Sequence, residues 1–271
     1  MMHHELNQLV SEAQSGNRAA LQALVKNSQD RVYRLALRLL VNPDDALEAT
    51  QEILIRVVTK LSTFRSESSF HTWVYRIAAN YLLTARKVQQ KDLGLNFELF
   101  EADLVDGLVV DTEQSPDEAV LLNELRVSCT MALLLCLSMK YRLAYVLGDI
   151  LQLDHAEAAQ VLDISKDVFR QQLSRARKEV ADFTLSNCGI ANQAARCSCP
   201  RRLPRALELG RVRREAQPMS QGGPDYSQVV ERTQRLEREL KVLQLQNATP
   251  DFRCPEDLGQ RVQQLFEPQI N

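Results

Sequence analysis

Residues 64–80 read FRSESSFHTWVYRIAAN: a polar loop, Arg65 to Ser69, that runs directly into an amphipathic, part-basic helix rich in aromatic residues. Trp73 and Ile77 mark an apolar flank, while Arg76, Asn80, Arg86 and Lys87 can project toward a polyanion. Aromatic rings beside cations suit unpaired bases, because single strands are held by stacking and by neutralisation of the backbone. Bases must also leave the duplex stack before their edges can be read. Phe70 and Trp73 are read as core and helix-anchoring residues, so the strand-facing set is Phe64, Arg65, Ser66, Glu67, Arg76, Asn80, Arg86 and Lys87.

Those residues carry a family resemblance. The run is similar to the promoter-melting segment of bacterial RNA polymerase sigma factors of the extracytoplasmic-function class, F-R-G-E-S-S-F-x-T-W-L-Y-R-I-A-x-N. It keeps Phe64, Arg65, Glu67, Ser68, Ser69, Phe70, Thr72, Trp73, Tyr75, Arg76, Ile77, Ala78 and Asn80, with Ser66 where Gly is common. The resemblance implies contact with the melted −10 element of a promoter by residues of the 64–87 set.

Upstream, Asn42-Pro43-Asp44-Asp45 has the form of a helix start: a capping side-chain oxygen, Pro in the first turn, and acids at the positive end of the dipole. In the helix that follows, Ala46, Ala49, Ile53, Val57 and Leu61 can pack inward, leaving Asp45, Glu48, Gln51, Glu52 and Arg56 outward. Such a face is ordinarily just solvated. It resembles, however, the D-A-E-D-L-x-Q-E-x-F helix by which sigma factors grip core polymerase, matching at Asp45, Ala46, Gln51 and Glu52.

Downstream, Asp154-His155-Ala156-Glu157 reads as a capping box opening a short helix to Leu162. Asp163 takes the turn and Ser165 can cap a second helix, SKDVFRQQLSRARKEV, giving a helix-turn-helix. Gly is usual in that turn, but Asp tolerates a left-handed backbone. Phe169, Leu173 and Ala176 should face the core, leaving Lys166, Arg170, Gln171, Ser174, Arg175, Arg177 and Lys178 outside. Arg and Gln can read base edges, and the later cations suit phosphates. The segment is similar to the upstream-promoter reader of sigma factors, which implies contact with the −35 element, at Glu157, Ala159, Leu162, Ile164, Ser165, Leu173, Arg175, Ala176 and Arg177.

The whole chain has 271 residues, 45 % hydrophobic and 25 % charged, enough for about two small domains plus extras. Strand alternation and hairpin turns are weak, so the fold class is all-α. The expected plan is a helical bundle over 1–91, an acidic linker over 92–118, a helix-turn-helix domain over 119–184 and a partly disordered extension over 185–271 with one or two helices. By resemblance the two domains are sigma regions 2 and 4. Residues 92–124 hold many acids and no Lys or Arg, as a solvated linker would. In sigma factors the corresponding linker threads a basic polymerase channel. The longest apolar run, Met131 to Leu137, is far short of a membrane span, and the MMHHE start lacks a signal-peptide pattern, so a cytoplasmic location is expected. A net charge of −2 does not oppose DNA binding, because the local surface is what meets phosphate.

Cys188, Cys197 and Cys199 bring three soft ligands to the extension. A C-x-C step can chelate zinc if a fourth group comes near, and His155 and Cys254 are the candidates. Free thiols, redox-reactive or inert, are the other reading. Cys129 and Cys136, seven apart on one helix face, are read as core. The arginines from Arg196 to Arg214, mixed with prolines, read as a mobile basic segment. Val229, Leu236 and Leu243 recur by sevens, too short a run for a coiled coil, so a docking helix or an isolated helix is expected.

His3, His4, His71 and His155 show neither triad nor metal-ligand spacing, and no glycine-rich phosphate loop occurs, so no catalytic site is expected. The resemblance implies a sigma factor that binds core RNA polymerase and promoter DNA, needs no cofactor, and has an anti-sigma factor as a candidate partner. Two rivals are a stand-alone helix-turn-helix regulator and a thiol- or metal-responsive interaction protein. Neither requires a melting loop, a polymerase-facing acidic helix and an upstream reader in that order.

Overall fold

A computed structural model describes residues 2–84, 94–110, 118–214 and 219–264. The described residues form helices joined by turns, with a single isolated bridge, Cys188 to Cys197, as their only β pairing. None of these helices is long and apolar enough to cross a membrane. The chain divides into two compact units that cut across the segments expected from sequence.

The first unit holds residues 1–91, 153–170 and 252–271. Its helices are α1 (Met2–Gln14), α2 (Arg18–Leu40), α3 (Pro43–Lys60) and α4 (Phe70–Thr84), joined by α8 (His155–Leu162) and α13 (Leu258–Gln264). Asn17 caps α2 by accepting from the Ala20 amide, and α2 ends where Val41 turns left-handed at φ 56°. A β-branched residue is strained there, since its Cβ crowds the carbonyl oxygen. The helices α2 and α3 pack against each other, and Leu24, Val32, Leu35 and Leu39 of α2 and Ala46, Ile53 and Leu54 of α3 are all buried. The last segment of the chain returns to α2. Cys254 N donates to Asp30 Oδ1 and Leu258 N to Gln29 Oε1, both at 3.0 Å, while Arg38 lies over the Phe252 ring. Leu258 and Val262 are buried there, a docking that local sequence gave no sign of.

The second unit holds residues 92–152 and 171–251. It contains α5 (Phe97–Val105), α6 (Ala119–Leu135), α7 (Met139–Tyr145) with a π-helical turn over Val146–Ile150, most of α9 (Lys166–Asn187), α10 (Cys199–Glu208), α11 (Tyr226–Gln234) and α12 (Arg238–Asn247). Three expectations are corrected here. The acidic stretch is no open linker over its described part: Asn96 caps α5, and the Phe100 ring stacks on Phe183 at 5.3 Å. The arginine segment is pinned as well. Arg202, 2 % exposed, donates to Asp103 Oδ2 at 2.9 Å and to Asp106 O at 2.7 Å, and Arg205 and Arg211 reach Asp106 and Asp103. Leu203 and Ala206 beneath it pack on Leu121, Leu122 and Leu125 of α6. Gly107 has φ +64°, and a Cβ there would come within 2.9 Å of the Arg205 side chain. Finally, the heptad breaks between α11 and α12. Val229 is buried with Leu245 and Ala248, whereas Leu243 is exposed, so the pattern is two short packed helices instead of a single docking or isolated helix.

Candidate nucleic-acid interface

The start of α3 forms as its sequence dictates. Asn42 Oδ1 accepts from the amides of Asp44 at 2.9 Å and Asp45 at 3.1 Å, and Pro43 needs no partner in the first turn. Burial of Ala46, Ala49, Ile53 and Val57 turns the opposite side outward: Glu48 is exposed, and Asp45, Gln51, Glu52 and Arg56 are half-buried. Arg56 bonds Glu52 Oε2 at 2.8 Å and lies over the Tyr81 ring at 4.6 Å, so these two members of the face hold each other.

The loop before α4 has an aromatic root and a polar tip. Phe64 is 6 % exposed, set edge-on to Phe70 at 5.7 Å and 5.3 Å from Trp73. Gln14 Nε2 donates to the carbonyls of Leu61 and Phe64 and fixes where the loop leaves the bundle. This corrects one expectation: the Phe64 ring is an anchor inside the core and is not open to a base. Arg65, Ser66 and Glu67 stand out in solvent, with Ser66 left-handed at φ 58°. The sequence departs from the usual Gly at that residue, and the backbone there is one that Gly adopts without strain. Ser69 Oγ then accepts from Thr72 N at 3.0 Å and opens α4. Arg76 and Asn80 are exposed on α4, while Arg86 and Lys87 lie outside the described residues.

Arg76 Nη2 meets Asp163 Oδ1 at 2.6 Å. Around this pair lies a cavity of about 550 Å³, lined by Arg65, Glu67 and Trp73 from one side and by Gln160 and Ser165 from the other. Both charged side chains are largely exposed, so the ion pair itself contributes little.

In the helix-turn-helix, Asp154 Oδ1 accepts from the amides of Ala156 at 2.6 Å and Glu157 at 3.1 Å. Those bonds, Glu157's first, hold its carboxyl below the ordinary range. Asp163 is left-handed at φ 56°, ψ 43°, and Ser165 Oγ accepts from Val168 N to open α9. Phe169, Leu173, Ala176 and Val180 are buried, and Lys166, Arg170, Gln171, Ser174, Arg175, Arg177 and Lys178 are all exposed.

These exposed residues are not equally available. Arg177 forks onto Asp149, with Nε to Oδ2 at 2.8 Å and Nη2 to Oδ1 at 2.5 Å, and this pairing raises its pKa. Arg177 is therefore a strut to the π-helical turn as much as a phosphate contact. Asp149 had no signal in local sequence. Arg175 bonds Glu179 at 3.1 Å and lies 5.5 Å from the Tyr141 ring centre. Arg170 makes a long contact with Asp167, 3.5 Å, at the solvent surface.

Cys188, Cys197 and Cys199 do come together, lining a cavity of about 70 Å³ with Cys129 of α6. The expected fourth candidates, His155 and Cys254, belong to the other unit. Burial, then the neighbouring thiols, push Cys129 up to about 12, Cys197 to about 11 and Cys199 well above its ordinary value. All six cysteines are free thiols, and among the described residues no three His, Cys, Asp or Glu side chains are drawn together to hold a metal ion as they stand.

Residues 24–91 match the family model for sigma-70 region 2, and residues 128–180 match that for sigma-70 region 4. The chain is 30% identical over 176 residues to the RNA polymerase sigma-H factor of Pseudomonas aeruginosa, covering 64% of this chain and 90% of that protein. It is similar at 30% over 178 residues to the ECF RNA polymerase sigma-E factor of Escherichia coli, covering 64% and 90%. At 26% over 185 residues it is similar to the ECF RNA polymerase sigma factor SigW of Bacillus subtilis, covering 65% and 95%.

Proposed function

We infer function from membership: the chain belongs to the sigma-70 family of RNA polymerase sigma factors, in the extracytoplasmic-function class. It binds core RNA polymerase and directs transcription initiation at specific promoters, acting on polymerase in the cytoplasm. The chemistry of RNA synthesis is the polymerase's.

In this reading the face of Asp45, Glu48, Gln51 and Glu52 meets the polymerase. The tip Arg65-Ser66-Glu67, with Arg76 and Asn80, takes the opened strand, and Arg170 and Gln171 read the upstream element. One observation supports it above others: a solvent-exposed polar tip is held on a root of buried Phe64 and Phe70 and half-buried Trp73, beside the exposed cation Arg76. A rigid root lets the tip meet unpaired bases at little further ordering cost. Arg76 must first leave Asp163, which a surface ion pair permits. A stand-alone DNA-binding regulator would use α9 but would have no need of that tip.

The test is transcription from a promoter library by purified core polymerase, with and without this protein. Promoter-specific transcripts that depend on it are expected, and permanganate footprinting should report thymines unpaired near the start site. Binding to duplex promoter DNA with no transcript from any library member would overturn the reading.

A further inference from the structure

One large apolar side chain of the helix-turn-helix stands in solvent. Val168, on the first turn of α9, is 40% exposed, and among the described residues 155–187 no other large hydrophobic residue is left so open. Its neighbour Phe169 is fully buried, and successive side chains of a helix are turned by about 100°. The buried ring therefore keeps Val168 on the outer side, with exposed Lys166 and Arg170 flanking it in sequence. Folding does not ask for valine there. Ser165 Oγ accepts from Val168 N at 3.2 Å, which makes Ser165 the N-cap and Val168 the third helical residue. That is where Glu or Gln reaches back to complete a capping box, and Val cannot. A β-branched residue also loses side-chain freedom in a helix, a cost that an exposed side chain recovers little of by burial. Single exposed apolar residues are common on protein surfaces, so it is position that gives this one meaning.

Position and chemistry restrict what Val168 can do. In helix-turn-helix proteins the N-terminal residues of the second helix meet base edges in the major groove. A polar residue at such a place selects bases by hydrogen bonds, but valine has no side-chain donor or acceptor. The feature of a base edge that an apolar group can select is the C5 methyl of thymine. Lys166 and Arg170 on either side can take phosphate or guanine and hold the helix against the groove.

We propose that Val168 reads a thymine of the upstream promoter element through its C5 methyl group. The inference rests on the promoter reading given above and adds to it the base and the group that is read. Contact takes the valine methyls and the thymine methyl out of water together, a gain that adenine, guanine and cytosine do not offer at that place.

The experiment takes a promoter that the full chain and core polymerase transcribe, and replaces the thymines of its upstream element, on either strand, one at a time by deoxyuridine. Deoxyuridine lacks the methyl group and keeps the hydrogen-bonding edge. Holoenzyme affinity for the closed promoter should fall about fourfold at one thymine, the equivalent of one methyl-sized group left in water. Val168→Ser removes both methyl groups of the side chain at an exposed place, where stability changes little, and should bind the thymine and deoxyuridine promoters alike at that position. Helix signal checks that the variant is folded, and the wild-type comparison does not depend on it. Failure to direct transcription from any promoter would remove the promoter reading and this inference together. With a working promoter in hand, indifference to deoxyuridine at every upstream thymine, an upstream element without thymine, or a folded Val168→Ser that still discriminates would overturn this inference and leave that reading standing.

Discussion

Arg177 and Asp149 form an asymmetric pair, and the asymmetry can be measured. The Asp149 side chain is 8% exposed while that of Arg177 is 52% exposed, and they meet as a fork. Removing Arg177 strands a carboxylate inside the unit, whereas removing Asp149 leaves a guanidinium that water can still reach. Breaking a buried pair costs ~3 to 5 kcal/mol and an exposed pair ~0 to 1. Arg177→Ala should therefore cost about 3 kcal/mol and Asp149→Ala about 1 kcal/mol. The double variant should recover part of the sum, with a coupling of ~1 to 2 kcal/mol. Urea unfolding at neutral pH, followed by helix signal, gives the three values from the shift in midpoint at constant slope. Promoter binding of Arg177→Ala, measured against salt, separates a strut from a phosphate contact: the strut role leaves the salt slope nearly unchanged. Equal costs for the two single variants, or additivity to within ~0.3 kcal/mol, would refute the reasoning from burial.

Four other outcomes are expected. Val41→Gly and Ser66→Gly each relieve a left-handed backbone and should stabilise the chain by ~0.5 to 1 kcal/mol, the strain less the entropy cost of Gly, as a rise in melting temperature would show. Phe64→Ala should cost ~3 to 5 kcal/mol of stability as a core deletion, while Arg65→Ala leaves stability unchanged and lowers the open-complex footprint; a merely surface-active Phe64 would reverse that split. Charge reversal at Asp45 and Glu52 together should abolish co-purification with core polymerase, and undiminished recovery would remove that face from the interface. Arg170→Ala should relax sequence choice at a base or two, costing ~1 to 3 kcal/mol on the preferred promoter, whereas Lys178→Ala should weaken binding evenly and flatten its salt dependence; equal loss on every promoter variant would contradict the first part.

Local chemistry made much of the molecule legible before any packing was known. The Asn42-Pro43 start of α3 and the Asp154 start of α8 rest on side chains bonding amides two or three residues away, which sequence order alone arranges. The outward set on α9 follows from helical period, and all seven of its residues are exposed. Ser66 and Asp163, the two positions where the sequence departs from Gly in the patterns it resembles, both sit left-handed, so even the departures from pattern pointed to real backbone features.

Tertiary structure decided what depends on partners far away in sequence. The acidic stretch and the arginine stretch each looked solvated, because the first contains no cation and the second only one acid, Glu208, among its arginines. They neutralise each other across about a hundred positions, at Asp103 with Arg202 and Asp106 with Arg205. Phe64 lies in a polar loop, yet its ring is drawn in by Phe70 and Trp73. Cys129 looked like plain core until folding set it beside three cysteines from beyond α9. Sequence by itself determined where helices begin, which way they face and the family, because capping and periodicity act within a few residues. Which charges are neutralised, which aromatic rings are buried and which thiols share a cavity were settled only by packing, because those energies depend on distance in space.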